Sequence, residues 1–305
     1  MFAGKATISC LSRYLDRVVV MCAFIPSKSV FPPISQADSD GLLACGGLVV
    51  PELILDALTH GIFPWTMQSS EFPSSIANRA DENALIELTT RFLYKTLSPV
   101  IRNSTWNGYS YDSLRSLADA GDTLCWFAPD PRGIIELDDI HIPSRLQRKM
   151  RNGRLQVTFD QAFPEVMLGC ALAGKRQEEP GWIYKEFFCG YCKLFELGFA
   201  HSVECWLVER DNVTLNNHQT CRKLVGGVYG VAINAFFAGE SMFSIETDSS
   251  KIALFNLLLH LREKGFLLFD LQVLNSHTES LGGKNIPRCE YMERLKNALK
   301  KSVVF

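Results

Sequence analysis

Apolar positions divide this chain into alternating helical and extended stretches. Pro51 opens a run in which Leu53, Ile54, Ala57 and Leu58 recur at helical spacing. That predicts a short amphipathic helix over about 51–60, stopped by Gly61. Ile62-Phe63-Pro64-Trp65 then reads as an exposed apolar corner. Further helices are expected near 82–97, 111–120, 143–152, 161–173 and 183–197, and strands at 134–137, 155–159, 201–209, 223–233 and 235–243. Asp248-Ser249-Ser250 caps a long amphipathic helix that Gly265 ends. A strand over 266–274 and a C-terminal helix from about 289 complete the chain. Strands interleaved with helices around a mixed sheet make an α+β or α/β arrangement, and α+β is the class expected.

Punctuation sets the organisation. Residues 1–30 are weakly patterned, with Met21 as an alternative start, and form an N-terminal extension. The turn-rich Trp126-Phe127-Ala128-Pro129-Asp130-Pro131-Arg132-Gly133 marks a boundary. An N-terminal domain is therefore expected over 31–127, with 66–123 differing in character as an insertion, and a second domain over 128–305.

Composition narrows the classes. In 305 residues, 47% hydrophobic and 21% charged, disorder as the main state is excluded. A formal net charge of −2 offers no global attraction to nucleic acid, so such a partner needs a local basic patch. The ten cysteines are scattered and read as reduced, cytosolic thiols. The apolar run Val18 to Ile25 is too short to span a bilayer, so no membrane partner is expected. Cys189-x-x-Cys192 and His218-x-x-Cys221 have the spacing of a zinc set, but the first pair sits among Phe187, Phe188 and Tyr191, where buried thiols are ordinary. No metal or other cofactor is expected.

Three segments carry candidate chemistry. In Phe266-Leu267-Leu268-Phe269-Asp270-Leu271-Gln272-Val273-Leu274, alternation puts Asp270 and Gln272 on one face of an apolar strand. Burying such groups is costly unless partners satisfy them, so they are either functional or a structural anchor for loops or a core arginine. Asn275 and His277 follow at the strand end. The glycines of Gly226-Gly227-Val228-Tyr229-Gly230 allow close approach of a ligand or another backbone, and a bulged hairpin is the plainer reading. Glu240, flanked by Phe237, Met242 and Phe243, suits a pocket that reads both charge and hydrophobic bulk. The run 141–159 holds Arg145, Arg148, Lys149, Arg151 and Arg154; helical spacing lets Arg145, Arg148 and Lys149 meet phosphates, although a solvated basic face is commoner.

Several stretches together resemble the leucyl/phenylalanyl-tRNA–protein transferases. They include Gly41-Leu-Leu-Ala-Cys-Gly-Gly47, Gly61-Ile-Phe-Pro-Trp65, Pro129-Asp-Pro-Arg132, Ala200-His-Ser-Val-Glu204, Gly226-Gly-Val-Tyr-Gly230, Gly239-Glu-Ser-Met-Phe-Ser244 and Asp270-Leu-Gln-Val-Leu-Asn275, in family order. The resemblance implies a small N-terminal α/β domain and a C-terminal acetyltransferase-like (GNAT-like) domain. It implies a cytoplasmic enzyme, expected as a monomer, that moves Leu or Phe, less readily Met, from Leu-tRNA or Phe-tRNA to proteins with N-terminal Arg or Lys, tagging them for N-degron degradation.

The resemblance also implies roles. Asp270 matches the family's proposed base and Gln272 its positioning partner; a proton shuttle through the terminal ribose hydroxyl fits these residues equally well. Trp65 and Trp182 match the tryptophans that hold the 3′ adenosine. Val228, Phe237, Met242, Ser244 and Leu257 form the aminoacyl pocket, Glu240 and Asn275 meet the acceptor N-terminus, and Arg145, Arg148, Lys149 and Arg151 meet the tRNA backbone. Gly181 and Val228 depart from the family pattern, which leaves the amino-acid preference open. Two rivals are an acyl-CoA-dependent N-acyltransferase, for which the turn Ser244 to Lys251 lacks the phosphate-binding glycines, and an inactive aminoacyl-tRNA or N-degron binder.

Overall fold

The computed structural model describes residues 29–67, 80–115, 123–173, 183–209 and 221–305. Pro51 occupies the first turn of α1 (Pro51–Thr59), which buries Ile54, Leu55, Ala57 and Leu58. Its face sits beside a three-stranded antiparallel sheet ordered β1 (Leu42–Cys45), β5 (Thr123–Phe127) and β2 (Phe63–Met67). Between β2 and β5 lie α2 (Ala80–Thr96), α3 (Pro99–Arg102), the hairpin β3 (Thr105–Trp106) and β4 (Tyr109–Ser110), and α4 (Tyr111–Arg115). The apolar corner expected at 62–65 is instead inside: Ile62 and Phe63 are buried, and Trp65 alone is exposed.

The larger sheet has seven strands in the order β12 (Gly283–Ile286), β6 (Arg132–Ile135), β11 (Leu268–Gln272), β10 (Phe236–Ser244), β9 (Cys221–Ile233), β8 (Ala200–Glu209) and β7 (Leu155–Phe159). Alternation along β9 feeds both faces. Tyr229, Val231 and Ile233 enter one core with α6 (Phe163–Leu172) and α7 (Lys185–Glu196), while Val228 and Ala232 enter another with α8 (Ser249–Lys264). Also present are α5 (Ser144–Arg151), the short α9 (Ser276–Glu279) and α10 (Arg288–Lys300). Gly265, at φ 83°, ends α8 as expected.

Asp248 does not cap α8. It adopts φ 73° and its side chain makes no capping bond; its carboxylate pairs with Lys149 instead. Ser249 locks the helix start to the sheet by donating to the Val225 carbonyl at 2.8 Å.

One departure from regularity matters for the site. Strands β10 and β11 are the parallel pair of this sheet, joined through α8, and they pair only from Phe236↔Leu268 to Ala238↔Asp270. Just beyond, β10 shifts register against β9 between Gly239 and Ser241, and β11 shifts against β6 between Asp270 and Gln272. Two bulges at one level end the pairing and re-aim the side chains that follow.

Candidate active site

The cleft left where β10 and β11 stop pairing is a cavity of about 900 Å³. Glu240, Met242, Phe243 and Ser244 of β10 line it, with Leu271 and Gln272 of β11, Asn275, and Ser250, Lys251 and Leu254 of α8. Trp65, Thr66 and Met67 bring β2 to the same space, and Val228 and Phe269 supply apolar floor. An apolar cleft with a few convergent polar groups is the form of a small-molecule site.

Its polar end is strained backbone held in place by hydrogen bonds. Gln272 is a non-glycine residue at φ 65°, and the bulge cancels the simple alternation that would put it on the same face as Asp270. Its backbone N–H donates to Asp270 Oδ1 at 2.8 Å, and its side-chain amide donates to Glu240 Oε2 at 3.0 Å. Burial pushes the Glu240 carboxyl up to about 7, against the lowering effect of the Gln272 bond. Glu240 Oε1 is buried without a hydrogen-bond partner among the described residues.

Asp270 stands differently from the expectation of a base. It is 0% exposed and off the cavity wall. Oδ1 accepts from Arg132 Nε at 2.9 Å and from Gln272 N, and Oδ2 accepts from Arg132 Nη2 at 2.7 Å and from the Tyr291 hydroxyl at 2.8 Å. Four donors on two oxygens, with no solvent access, leave no open position for a substrate proton. The core-arginine alternative is therefore what the geometry gives.

Other candidates separate as follows. Trp65, Val228, Met242, Ser244, Glu240, Gln272 and Asn275 share the cavity. Phe237 does not reach it: it is fully buried, with its ring stacked on Phe269 at 5.7 Å and 6°. Leu257 likewise faces the core beneath α8. The Asn275 side chain also caps α9, accepting from Thr278 N at 2.9 Å. Arg145, Arg148 and Arg151 lie exposed on α5, while Lys149 reaches back to Asp248 on the cavity wall, so the basic helix borders the cleft. Trp182, Gly181, His218, the apolar run 18–25 and most of the 1–30 extension lie outside the described residues. So do 68–79 and 116–122 of the 66–123 segment. Cys189 and Cys192 are buried on α7, and burial pushes the Cys189 thiol up to about 12. Sequence reasoning assigned no role to Arg132 or Tyr291; the signal for Arg132 was a guanidinium just before the apolar run Ile134-Ile135, in a strand that is buried throughout.

A family model described as "Leucyl/phenylalanyl-tRNA protein transferase" matches residues 134–296. Proteins named leucyl/phenylalanyl-tRNA–protein transferase are similar along most of their length. The one from Stutzerimonas stutzeri is 35% identical, with 87% of this chain and 89% of the relative aligned. That from Edwardsiella ictaluri is 35% identical over 88% and 83%, and that from Syntrophotalea carbinolica 34% over 88% and 89%. A solved structure, the C-terminal domain of a putative lysylphosphatidylglycerol synthetase from Agrobacterium fabrum, aligns over 56% of this chain and 53% of its own at a TM-score of 0.30 and 12% identity, too remote to assign a fold.

Proposed function

The chain belongs to the leucyl/phenylalanyl-tRNA–protein transferase family and is an aminoacyl-tRNA transferase; on that premise we propose that the cleft between β10 and β11 transfers Leu or Phe from the tRNA 3′ end to the α-amine of proteins beginning with Arg or Lys. The product is an N-degron tag, formed in the cytoplasm by a monomer without a cofactor. The observation that carries this reading is Glu240: a carboxylate with a pKa of about 7, hydrogen-bonded to a strained glutamine, at the polar end of an apolar cleft.

The reaction is aminolysis of an ester. The acceptor amine forms a bond to the aminoacyl carbonyl carbon, the ester bond to the ribose oxygen breaks, and one proton moves from nitrogen to that oxygen. The acceptor's ammonium, which titrates near 7.7–8.0, first gives one proton to solvent; the neutral amine then attacks, and Glu240 accepts the proton that its nitrogen sheds and returns it to the leaving ribose oxygen. Gln272 gives its amide N–H to Glu240 and leaves its carbonyl oxygen to orient the amine. Asp270 acts through Gln272, by holding its backbone. Trp65 stacks on the terminal adenine, sharing that role with Trp182. Val228, Met242, Phe243 and Leu254 take the aminoacyl side chain, and Asp40 at the rim is a carboxylate for the acceptor's cationic side chain. Arg145, Arg148 and Arg151 meet tRNA phosphates.

We also read the chain as an N-terminal domain over 31–127 and an acetyltransferase-like domain over 128–305. Membership of β5 in the small sheet and β6 in the large one supports the boundary, and the parallel β10–α8–β11 unit supports the fold reading.

The test is the pH dependence of single-turnover transfer from Leu-tRNA to an Arg-initiated peptide. Wild type should show a rising limb with a midpoint near 7 in addition to that of the acceptor amine near 7.7–8.0, and Glu240→Gln should be slower by about 10²–10⁴-fold and keep only the amine's limb. The limb near 7 in both proteins would remove Glu240 from the proton transfer.

A further inference from the structure

We propose that Arg132 and Tyr291 are positioning residues for transfer: they clamp Asp270, and through it hold Gln272 in the backbone conformation that aims its amide at Glu240. The proposal rests on the transfer reading of the cleft. Arg132 is 1% exposed and every face of its guanidinium is engaged. Nε and Nη2 grip Asp270 as a fork, Nη1 donates to the Gly61 carbonyl at 2.9 Å, and the plane lies between the Phe63 and Tyr291 rings, 4.7 Å from each centroid. Tyr291 closes the remaining side of Asp270 Oδ2.

The consequence lies one bond further on. A glutamine at φ 65° relaxes unless its surroundings over-determine it. The bond from Gln272 N to Asp270 Oδ1 does so only while Asp270 itself cannot turn, and Arg132 and Tyr291 remove that freedom. Through Gly61 and Phe63, the same guanidinium also grips the approach to β2, which carries Trp65. One buried side chain thereby sets the platform for the donor and the amide for the chemistry in fixed relation. Neither Arg132 nor Tyr291 lines the cavity, so neither touches substrate.

Tyr291→Phe keeps the ring against Arg132 and removes only the hydroxyl; Arg132→Lys keeps the charge and removes the fork. In single-turnover transfer by the full chain, Tyr291→Phe should slow the chemical step about tenfold, the scale of one hydrogen bond to a charged group, with KM for Leu-tRNA within about twofold. Arg132→Lys should lose more, about a hundredfold. The readout that mere structural support would not move is the pH profile. Glu240 faces Gln272, Asp270, Arg132 and the Tyr191 hydroxyl, and the Gln272 bond holds its pKa down. A displaced Gln272 should therefore move the rising limb of Tyr291→Phe above the wild-type midpoint. An unchanged rate and midpoint in Tyr291→Phe would overturn the proposal, and that variant decides alone if Arg132→Lys fails to fold. A wild-type chain that transfers nothing would instead overturn the transfer reading, and this proposal with it.

Discussion

Glu240 has a consequence for stability as well as for catalysis. Its folded pKa lies above that of an unfolded glutamate, so the native state binds the extra proton between about pH 4 and pH 7. Its favourable contribution is complete below that window and is lost as pH rises through about 7. Urea unfolding should show wild type losing up to about 3 kcal/mol across the window through this one group, and Glu240→Gln should remove that part of the slope. Trp65, 38% exposed on the cavity wall, makes a separable prediction. Trp65→Ala should weaken aminoacyl-tRNA binding by about 1–3 kcal/mol, read as a raised KM with the chemical step nearly unchanged. Glu240 and Gln272 were legible because a polar group in an apolar strand stands out locally, whereas Trp65 was reached only through the family resemblance. The state of Asp270 was not, because Arg132 and Tyr291 lie 138 and 21 residues away in sequence.

At the scale of elements, periodicity located nearly every helix and strand of the larger sheet, including β7 to the residue. It failed where a strand bulges. The register shifts in β10 and β11 re-aim Glu240 and Gln272 into one cleft, which no period-two pattern encodes, while Phe237 precedes the shifts, in the regularly paired part of β10, and so stays in the core. The buried Ile62 and Phe63 show the same limit: α10 and the clamp of Arg132 cover that corner, and both come from distant sequence. Close packing of α8 on β9 is the more local feature. A Cβ at Gly226 would stand 2.3 Å from Ser249 Oγ and 2.9 Å from the Ser249 carbonyl carbon. Gly226→Ala should thus cost about 1–3 kcal/mol, visible as a lowered Tm, and displace the helix start that bears Ser250 and Lys251 on the cavity wall.

For the whole molecule, a net charge of −2 conceals a basic helix at the edge of the cleft. Arg145, Arg148 and Arg151 are exposed there, whereas Lys149 is held by Asp248. Arg148→Glu with Arg151→Glu should weaken tRNA binding and reduce the slope of log K against log salt by about 1 for each phosphate that loses its arginine. Among the described residues no helix is long and apolar enough to cross a membrane. The central claim is transfer from a charged tRNA to a basic N-terminus, and mass spectrometry of one acceptor peptide tests it most directly. With purified protein and Leu-tRNA or Phe-tRNA, a peptide beginning with Arg or Lys should gain one leucyl or phenylalanyl residue at its α-amine, and an N-acetylated copy should gain none. Modification of the acetylated peptide, or the same product formed without aminoacyl-tRNA, would contradict it.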